Sequence, residues 1–250
     1  MQKRLAYCMV SISPVRSEAA DPSEIVTQLL FGELMEVDDI TAPWAHITVL
    51  SDGYQGYMDH KHMRFLTDKE RRRWTEGLGY LMDRERLIRT PWGTQRICRG
   101  ASVPVNNGSF NIGNDVFEFL DEPGIEFDSI ESLAMDYLNT PYLWGGKSPF
   151  GIDCSGITQV IYRLFGFNLP RDASQQADYG TEVDFEDIQS GDLAYFTNST
   201  GKVTHVGILT ESGEIIHASG HVRKDLLTRE GIIHAEKENC THPLHAIKRM

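Results

Sequence analysis

The sequence predicts an α+β domain in the C-terminal half of the chain, preceded by two small all-β barrels. Residues 1–66 and 80–124 consist of short alternating runs separated by Asp, Pro and Gly. Residues 125–165 show the periodicity of helices, and three strand-like runs follow from residue 192 onward. Helices followed by strands are typical of an α+β domain. We therefore expect a first barrel over 1–66, a connector with a second, degenerate barrel over 67–124, and an α+β domain over 125–250.

The two barrels are predicted from alternation and turn signals. In the first, the runs GELMEVDDI, WAHITVL and GYQGYMDH alternate apolar and polar residues as strands do. The next stretch, DKERRRWTEGLGYLMDRERLI, predicts a helical or irregular connector. Strand-like residues return in RICRGASVPVNNGSFNIGNDVFEFL, where Asn107–Gly108 is a hairpin turn signal.

Two helices are predicted at the start of the C-terminal domain. In the first, apolar residues recur at helical spacing over residues 130–138. Asp128 and Glu131 have the spacing of a capping box before it. The second helix shows the same pattern over residues 157–165, and Gly166 stands where a C-terminal glycine belongs. The runs GDLAYFT, THVGILT and EIIHAS then predict the strands of a sheet.

Composition excludes some classes of function. The formal net charge is −12, and residues 115–192 contain sixteen acidic residues against three basic ones. Because phosphate binding needs a basic surface, we expect no nucleic-acid partner. No segment approaches the roughly eighteen apolar residues of a membrane span, and the start of the chain lacks the pattern of a signal peptide. We expect a cytoplasmic protein, or a periplasmic or exported one if a signal peptide was removed; the oligomeric state stays open.

One cysteine has the surroundings of a nucleophile. Cys154 lies in the stretch FGIDCSG, where Asp153 can cap the following helix and place Cys154 in its first turn. The unpaired N–H groups and the dipole of a helix N-terminus favour a thiolate over a thiol. Position alone leaves open that Cys154 is a buried, inert thiol. The remaining cysteines are predicted to be small buried hydrophobic residues: Cys8, Cys98 and Cys240.

A thiol nucleophile needs a base, and the base needs a group that orients it. The stretch THVGILTESGEIIHAS predicts a hairpin with His205 on one strand and His217 on the other. If the loop has three residues with Gly213 left-handed, the two imidazoles are diagonal neighbours on one face and can share a hydrogen bond. A two-residue loop would place them on opposite faces, as unrelated strand histidines.

The motifs TPYLWGGKSPFGIDCSG, LPRDAS, GDLAYF, THVGI and IIHAS follow one another in this order. Together they resemble the NlpC-type family of papain-like cell-wall peptidases over about residues 126–235. The preceding residues resemble the bacterial Src-homology-3 (SH3)-like barrels that accompany this domain. The whole layout is similar to that of γ-D-glutamyl-L-diamino acid endopeptidases of the dipeptidyl-peptidase VI type. The resemblance implies a papain-like catalytic domain after two SH3-like barrels.

The resemblance also implies catalytic roles. Cys154 would be the nucleophile, His205 the general base and His217 the third polar residue, which orients the base. Tyr142 would donate its hydroxyl to the developing oxyanion beside the backbone N–H of Cys154. Trp144 would shape the cleft. No metal or organic cofactor is implied.

Substrate-binding residues follow from the same resemblance. Ser155 and Asp172 match family positions that line the pocket for the D-glutamyl residue, although Asp172 can instead cap the helix that follows it. The free amine of an N-terminal L-Ala would be recognised by the first barrel, where a carboxylate suits an ammonium group. The candidates there are Glu24, Tyr54 and Tyr57, each of which can equally be an ordinary barrel residue.

We therefore expect a cysteine peptidase that cleaves the γ-D-glutamyl–diamino acid bond of murein-derived peptides with a free N-terminal L-Ala, in cell-wall peptide recycling. The sequence leaves Lys and diaminopimelate undistinguished at the scissile bond. Two alternatives stay open: an endopeptidase acting on intact peptidoglycan, and a non-catalytic module that binds cell-wall peptides. The complete set of Cys154, His205, His217 and Tyr142 favours an enzyme.

Overall fold

The computed structural model describes residues 4–104, 108–124, 126–234 and 239–250. The chain forms two compact units: Met1–Glu126 with Lys147–Pro149, and Phe127–Gly146 with Phe150–Met250. The hairpin turn predicted at Asn107–Gly108 lies partly outside the described residues. Within the described ranges, no helix has the length and apolar character needed to cross a membrane.

The first seven strands of the N-terminal unit belong to one antiparallel sheet. They are β1 (Arg4–Cys8), β2 (Ile12–Arg16), β3 (Ile25–Leu30), β4 (Leu34–Thr41), β5 (Trp44–Val49), β6 (Gln55–Asp59) and β7 (Met63–Leu66). They lie in the order β3-β2-β6-β5-β4-β1-β7. Alternate side chains of these strands point to one face, and they form a hydrophobic core that includes Val37, Ile47 and Met58.

The remainder of this unit begins with a helix, α1 (Asp68–Thr75), which starts at a capping box of Thr67 and Glu70. Six strands follow: β8 (Leu78–Tyr80), β9 (Glu85–Thr90), β10 (Gly93–Cys98), β11 (Ser102–Pro104), β12 (Ser109–Ile112) and β13 (Asp115–Phe119). Four form a sheet in the order β10-β9-β13-β12, and β11 pairs with β8. Their hydrophobic core also contains Tyr7 and Phe31. This region is rich in β-structure but shares its core with residues of the first sheet, so a separate second barrel is not shown.

The N-terminal unit includes a short segment from much later in the chain. Residues 147–149 contribute the strand β14 (Lys147–Ser148). The ammonium group of Lys147 lies 3.0 Å from a carboxylate oxygen of Glu33, and both side chains are almost fully buried. The charge of each residue is thereby paired within the interior of this unit.

The C-terminal unit contains three helices and one long antiparallel sheet. The helices are α2 (Ile130–Met135), α3 (Cys154–Leu164) and α4 (Ala173–Gln176). The strands are β15 (Gly151–Ile152), β16 (Thr181–Glu182), β17 (Leu193–Thr197), β18 (Val203–Leu209), β19 (Glu214–Ser219), β20 (His221–Thr228), β21 (Gly231–Ile233) and β22 (Cys240–Arg249). The sheet has the order β16-β22-β17-β18-β19-β20-β21, and β21 also pairs with β22. Six strands therefore close into a barrel.

The helix α3 forms as the sequence predicts. Asp153 caps it, because its side chain accepts the N–H of Gly156 at 2.7 Å. Ten residues of the helix, from Cys154 onward, are buried. Polar side chains are tolerated there because they find partners: the hydroxyl of Thr158 donates to the side-chain oxygen of Gln176 at 2.7 Å.

The helix α2 is shorter than its periodicity suggests and begins at a different residue. Ser129 caps it by accepting the N–H of Ser132, and the Ser132 hydroxyl in turn accepts the N–H of Ser129. The capping box predicted for Asp128 and Glu131 was therefore wrong. The helix ends at Met135, and Asn139 follows in a left-handed conformation (φ 68°) that a helix cannot continue through.

Candidate active site

The strands β18 and β19 have the register that places both predicted histidines on one face. His217 pairs directly with Gly207, so His205, two residues earlier on β18, is its diagonal neighbour. Gly213 in the connecting loop is left-handed (φ 76°), as the three-residue loop requires. The prediction of a three-residue loop is confirmed.

A continuous hydrogen-bonded chain joins the two histidines to a carboxylate. The Nε2 atom of His205 lies 2.8 Å from Nδ1 of His217. The Nε2 atom of His217 lies 2.9 Å from Oδ2 of Asp225, and Arg223 donates to Oδ1 of the same carboxylate at 3.0 Å. His205, His217 and Asp225 are 7%, 1% and 3% exposed. Water therefore has little access to these hydrogen bonds.

Cys154 lies beside the strand that carries His205. It is the first residue of α3 and is 6% exposed. Its Sγ atom is 4.0 Å from the carbonyl oxygen of Thr204, the residue that precedes His205. The structure thus places the cysteine sulfur beside the backbone of the strand that carries His205.

Burial dominates the electrostatics of this site. Burial first, and then the negative charge of Asp153, raise the pKa of the Cys154 thiol to about 12, although backbone N–H groups and Arg171 act in the opposite direction. Burial also lowers the pKa of His205 well below its ordinary value and lowers that of His217. The expectation of a thiolate was wrong for the substrate-free site, because desolvation outweighs the helix N-terminus. These shifts favour the neutral thiol and the neutral imidazoles.

A buried guanidinium fixes the start of α3. Arg171, which sequence reasoning missed, is 2% exposed and places its two terminal nitrogens 3.0 Å and 2.5 Å from the carboxylate oxygens of Asp153. It also donates to the hydroxyl of Ser155 at 2.8 Å. Ser155, predicted to line the substrate pocket, is therefore a buried residue whose oxygen accepts from a protein donor.

Tyr142 has the features of an available hydroxyl. It is half-buried, and its pKa is raised by burial and by the nearby Cys154. Within the part of the chain that the structure describes, its hydroxyl forms no hydrogen bond. Trp144, two residues later, is 59% exposed. Asp172 stands at the start of α4, where its N–H donates to the side chain of Gln175 at 3.3 Å, as the capping alternative predicts.

The candidates in the first barrel are residues of the N-terminal unit. Glu24 is exposed and directly precedes β3. Tyr54 packs against the hydrophobic core of the first sheet. Tyr57 lies on β6, with its ring centroid 4.9 Å from that of His46. Each therefore has the surroundings of a residue of that sheet, and their role in binding stays a prediction.

Two further residues of the site were not found from the sequence. Asp225 follows Arg223 by two positions on β20, and Arg223 is the direct pairing partner of His217. The alternation of HVRKDLL after the turn glycine could have indicated this placement. The ring of His242, on β22, stacks on that of His205 with centroids 4.3 Å apart. Among the described residues, no group of three His, Cys, Asp or Glu side chains is arranged to hold a metal ion.

The remaining cysteines differ in burial. Cys8 and Cys98 are buried, as predicted, whereas Cys240 is exposed. The prediction for Cys240 was wrong, because it opens β22 at a position where the strand faces solvent.

Comparison with known proteins gives a consistent result across the chain. The NlpC/P60 family matches residues 139–237, and the bacterial dipeptidyl-peptidase SH3 domain matches residues 15–63. A γ-D-glutamyl-L-lysine dipeptidyl-peptidase of Bacillus subtilis (strain 168) is 29% identical over 86% of this chain and 79% of its own length. The probable endopeptidase NlpC of Escherichia coli (strain K12) is 37% identical over 45% of this chain and 73% of its own length.

A similar fold is found in a solved structure. The crystal structure of an NlpC/P60 family protein from Bacillus cereus ATCC 10987 matches with a TM-score of 0.78 and 21% identity, over 98% of this chain and 99% of that one. The fold and these relatives together define a peptide hydrolase. More specifically, the chain belongs to the NlpC/P60 family.

Proposed function

We propose that this peptidase cleaves the γ-D-glutamyl–diamino acid bond of peptidoglycan stem peptides that carry a free N-terminal L-Ala. The observation that carries this specificity is the extent of the match to the B. subtilis dipeptidyl-peptidase, which covers 86% of the chain. The match to the E. coli endopeptidase covers only 45%. Similarity over the N-terminal unit, which includes the SH3 domain of bacterial dipeptidyl-peptidases, supports an enzyme that acts on small released peptides. Recycling of such peptides would place it in the cytoplasm.

In the proposed reaction, the Sγ atom of Cys154 attacks the carbonyl carbon of the γ-D-glutamyl residue. As the S–C bond forms, Nδ1 of His205 takes the thiol proton, because its Nε2 is already bonded to His217. The resulting oxyanion accepts hydrogen bonds from the Tyr142 hydroxyl and the backbone N–H of Cys154.

The tetrahedral intermediate then collapses. The C–N bond breaks, His205 returns its proton to the departing amine, and the diamino acid leaves. A water molecule attacks the thioester while His205 removes its proton, the S–C bond breaks, and the proton returns to Cys154. The products are L-Ala-γ-D-Glu and the free diamino acid, which is diaminopimelate or Lys.

Two groups of residues are proposed to bind the substrate. Asp172 lines the pocket for the D-glutamyl residue together with Ser155, whose hydroxyl accepts a hydrogen bond from Arg171, and Trp144 shapes the cleft. The first barrel recognises the ammonium group of L-Ala, and the candidate residues are Glu24, Tyr54 and Tyr57. A second, degenerate SH3-like barrel over residues 67–124 stays a prediction, since the match to the SH3 domain covers residues 15–63.

The test is mass spectrometry of the products formed from defined peptides. We expect L-Ala-γ-D-Glu from L-Ala-γ-D-Glu-diaminopimelate or L-Ala-γ-D-Glu-L-Lys, and no cleavage of their N-acetylated forms. Cys154→Ala should abolish cleavage, whereas Cys240→Ala, which removes an exposed cysteine, should leave it unchanged. Equal cleavage of free and N-acetylated peptides would instead indicate an endopeptidase acting on intact peptidoglycan. Cleavage by the Cys154→Ala variant would exclude the cysteine mechanism.

A further inference from the structure

His205, His217 and Asp225 form one diagonal line across three adjacent strands. His217 pairs with Gly207 on one side, and His205 lies two residues before that glycine. On the other side His217 pairs with Arg223, and Asp225 lies two residues after it. The same diagonal step therefore occurs twice, and it brings three side chains into hydrogen-bond contact on one face of β18, β19 and β20.

We propose that Asp225 is a positioning residue that sets the direction of this hydrogen-bond chain, so that the lone pair of His205 Nδ1 is presented to Cys154. The proposal rests on the proposed peptidase function. It concerns which ring nitrogens carry protons, and the structure fixes this through the order of donors and acceptors.

The direction follows from the chemistry of each group. An aspartate carboxylate can only accept, so Nε2 of His217, 2.9 Å away, must be its donor. A neutral imidazole carries one proton, and Nδ1 of His217 is therefore an acceptor. The Nε2 atom of His205, 2.8 Å from it, must then donate. This leaves Nδ1 of His205 without a proton, which is the form that a general base needs.

The opposite direction would disable the base. If the group at position 225 donated to His217, then His217 would be protonated at Nδ1 and would donate to Nε2 of His205. His205 would carry its proton on Nδ1, so this atom could not take the proton of the thiol. Both arrangements satisfy every hydrogen bond of the two rings, so the histidines alone do not choose between them.

Arg223 helps Asp225 to set the direction of the hydrogen-bond chain. Its Nη2 donates to Oδ1 at 3.0 Å, and its Nε lies 2.8 Å from Oδ2. Both contacts support the carboxylate form, since an arginine offers donors only. In an Asp225→Asn variant, an amide oxygen that keeps the hydrogen bond to Nη2 would leave the amide NH2 facing His217. The variant would therefore reverse the chain while keeping its geometry.

Other titratable groups surround the chain. His242 stacks on His205 from β22, and its centroid is 5.8 Å from that of His217. His234 lies with Nε2 3.0 Å from Arg223. Both are imidazoles, which can donate or accept a hydrogen bond. The carboxylate of Asp225 can only accept, so Asp225 is the group that sets the direction of the chain.

The kinetic test compares Asp225→Asn with a matched control. In serine peptidases the corresponding change selects the wrong tautomer and lowers kcat by about 10⁴, and we expect a loss of about 10² to 10⁴ here, with KM little changed. Asp192 is also buried and paired with an arginine, Arg249, in the same unit. Asp192→Asn should reduce the stability of the protein but leave kcat unchanged. An Asp225→Asn enzyme with the kcat of the native protein would overturn the proposal.

The tautomers are tested directly by NMR of protein labelled with ¹⁵N in its histidines. The Cys154→Ala variant keeps Asp225 and should show His205 and His217 protonated at Nε2, whereas addition of Asp225→Asn should move both protons to Nδ1. Nδ1–H tautomers in the single variant, or identical tautomers in both, would refute the assignment. This measurement needs no substrate, so it remains decisive even if the native enzyme fails to cleave the proposed peptides, a result that would count against the proposed function alone.

Discussion

Arg171 binds both carboxylate oxygens of Asp153, at 3.0 Å and 2.5 Å, inside the C-terminal unit. The same carboxylate accepts the backbone N–H groups of Gly156 at 2.7 Å and Gly145 at 2.8 Å. Asp153 therefore links the loop before α3 to the first turn of that helix. Because Cys154 is the next residue, the position of its sulfur depends on this ion pair.

Removing the guanidinium should destabilise the protein strongly. Arg171→Met leaves the carboxylate of Asp153 buried without its charged partner, and breaking a buried pair in this way costs about 3–5 kcal/mol. Lys224→Met is the control, since it removes a half-exposed pair with Glu214 and should cost about 0–1 kcal/mol. Both changes are measured by urea unfolding. A loss for Arg171→Met no larger than that of the control would contradict the role assigned to this ion pair.

The thiol of Cys154 should react slowly with alkylating agents at neutral pH. Its pKa is raised to about 12, so the thiolate is scarce at pH 7 and becomes more abundant as the pH rises. The measurement is the rate of iodoacetamide labelling in a Cys240→Ser background, because Cys240 is exposed. We expect the rate to increase continuously up to pH 10. A rate that is already constant below pH 7 would show a thiolate in the resting enzyme.

Tyr142→Phe should reduce turnover without harming the fold. Loss of one donor to an oxyanion lowers kcat by about 10²–10³ in other peptidases. The hydroxyl forms no hydrogen bond to any described residue, so its removal leaves no protein group unpaired. Tyr179→Phe, at a side chain 50% exposed, is the matched control and should retain full activity. Equal kcat values for the two variants would remove Tyr142 from the mechanism.

Stability should fall as the pH decreases from about 6.5 to 5. Burial lowers the pKa of His205 and His217, and it lowers the pKa of His242 to about 4. The unfolded chain gains protons on these residues below its pKa of about 6.5, while the folded chain does not, so acid favours unfolding. Each such histidine adds up to about 1.4 kcal/mol per pH unit to the slope.

His242→Phe provides the check on this prediction. Phenylalanine keeps a ring that can stack on His205 but cannot take up a proton. The free energy of unfolding, measured by guanidinium titration at pH 8, 6.5 and 5, should therefore vary less with pH in this variant. An unchanged slope would mean that His242 is not among the groups responsible.

Local features of the site could be predicted from the sequence because they depend on neighbouring residues. The cap at Asp153 and the start of α3 follow from four residues. The register of His205 and His217 follows from the length of one loop and a single left-handed glycine, Gly213. In each case the interacting residues are close together in the sequence, so the local pattern is enough to predict the structure.

Features that depend on distant segments could not be predicted. Arg171 reaches Asp153 from the segment between α3 and α4, and His242 lies on the last strand, which closes the barrel by pairing with β21 as well as β17. The prediction of a thiolate at Cys154 failed for the same reason, because the desolvation that raises its pKa comes from the whole surrounding interior. The shared core of the N-terminal unit, with Tyr7 and Phe31 in it, likewise depends on contacts between distant strands.

The turn at Gly220, between β19 and β20, must keep its exact number of residues. Ser219 faces His221 across it, and this spacing alone determines that Asp225 emerges on the inner side of the barrel. Inserting or deleting one amino acid there would turn every side chain of β20 to the other surface. Evolutionary tolerance to length changes, common at surface turns, should therefore be lost at this bend, because a flip would displace both Asp225 and the core residue Leu227.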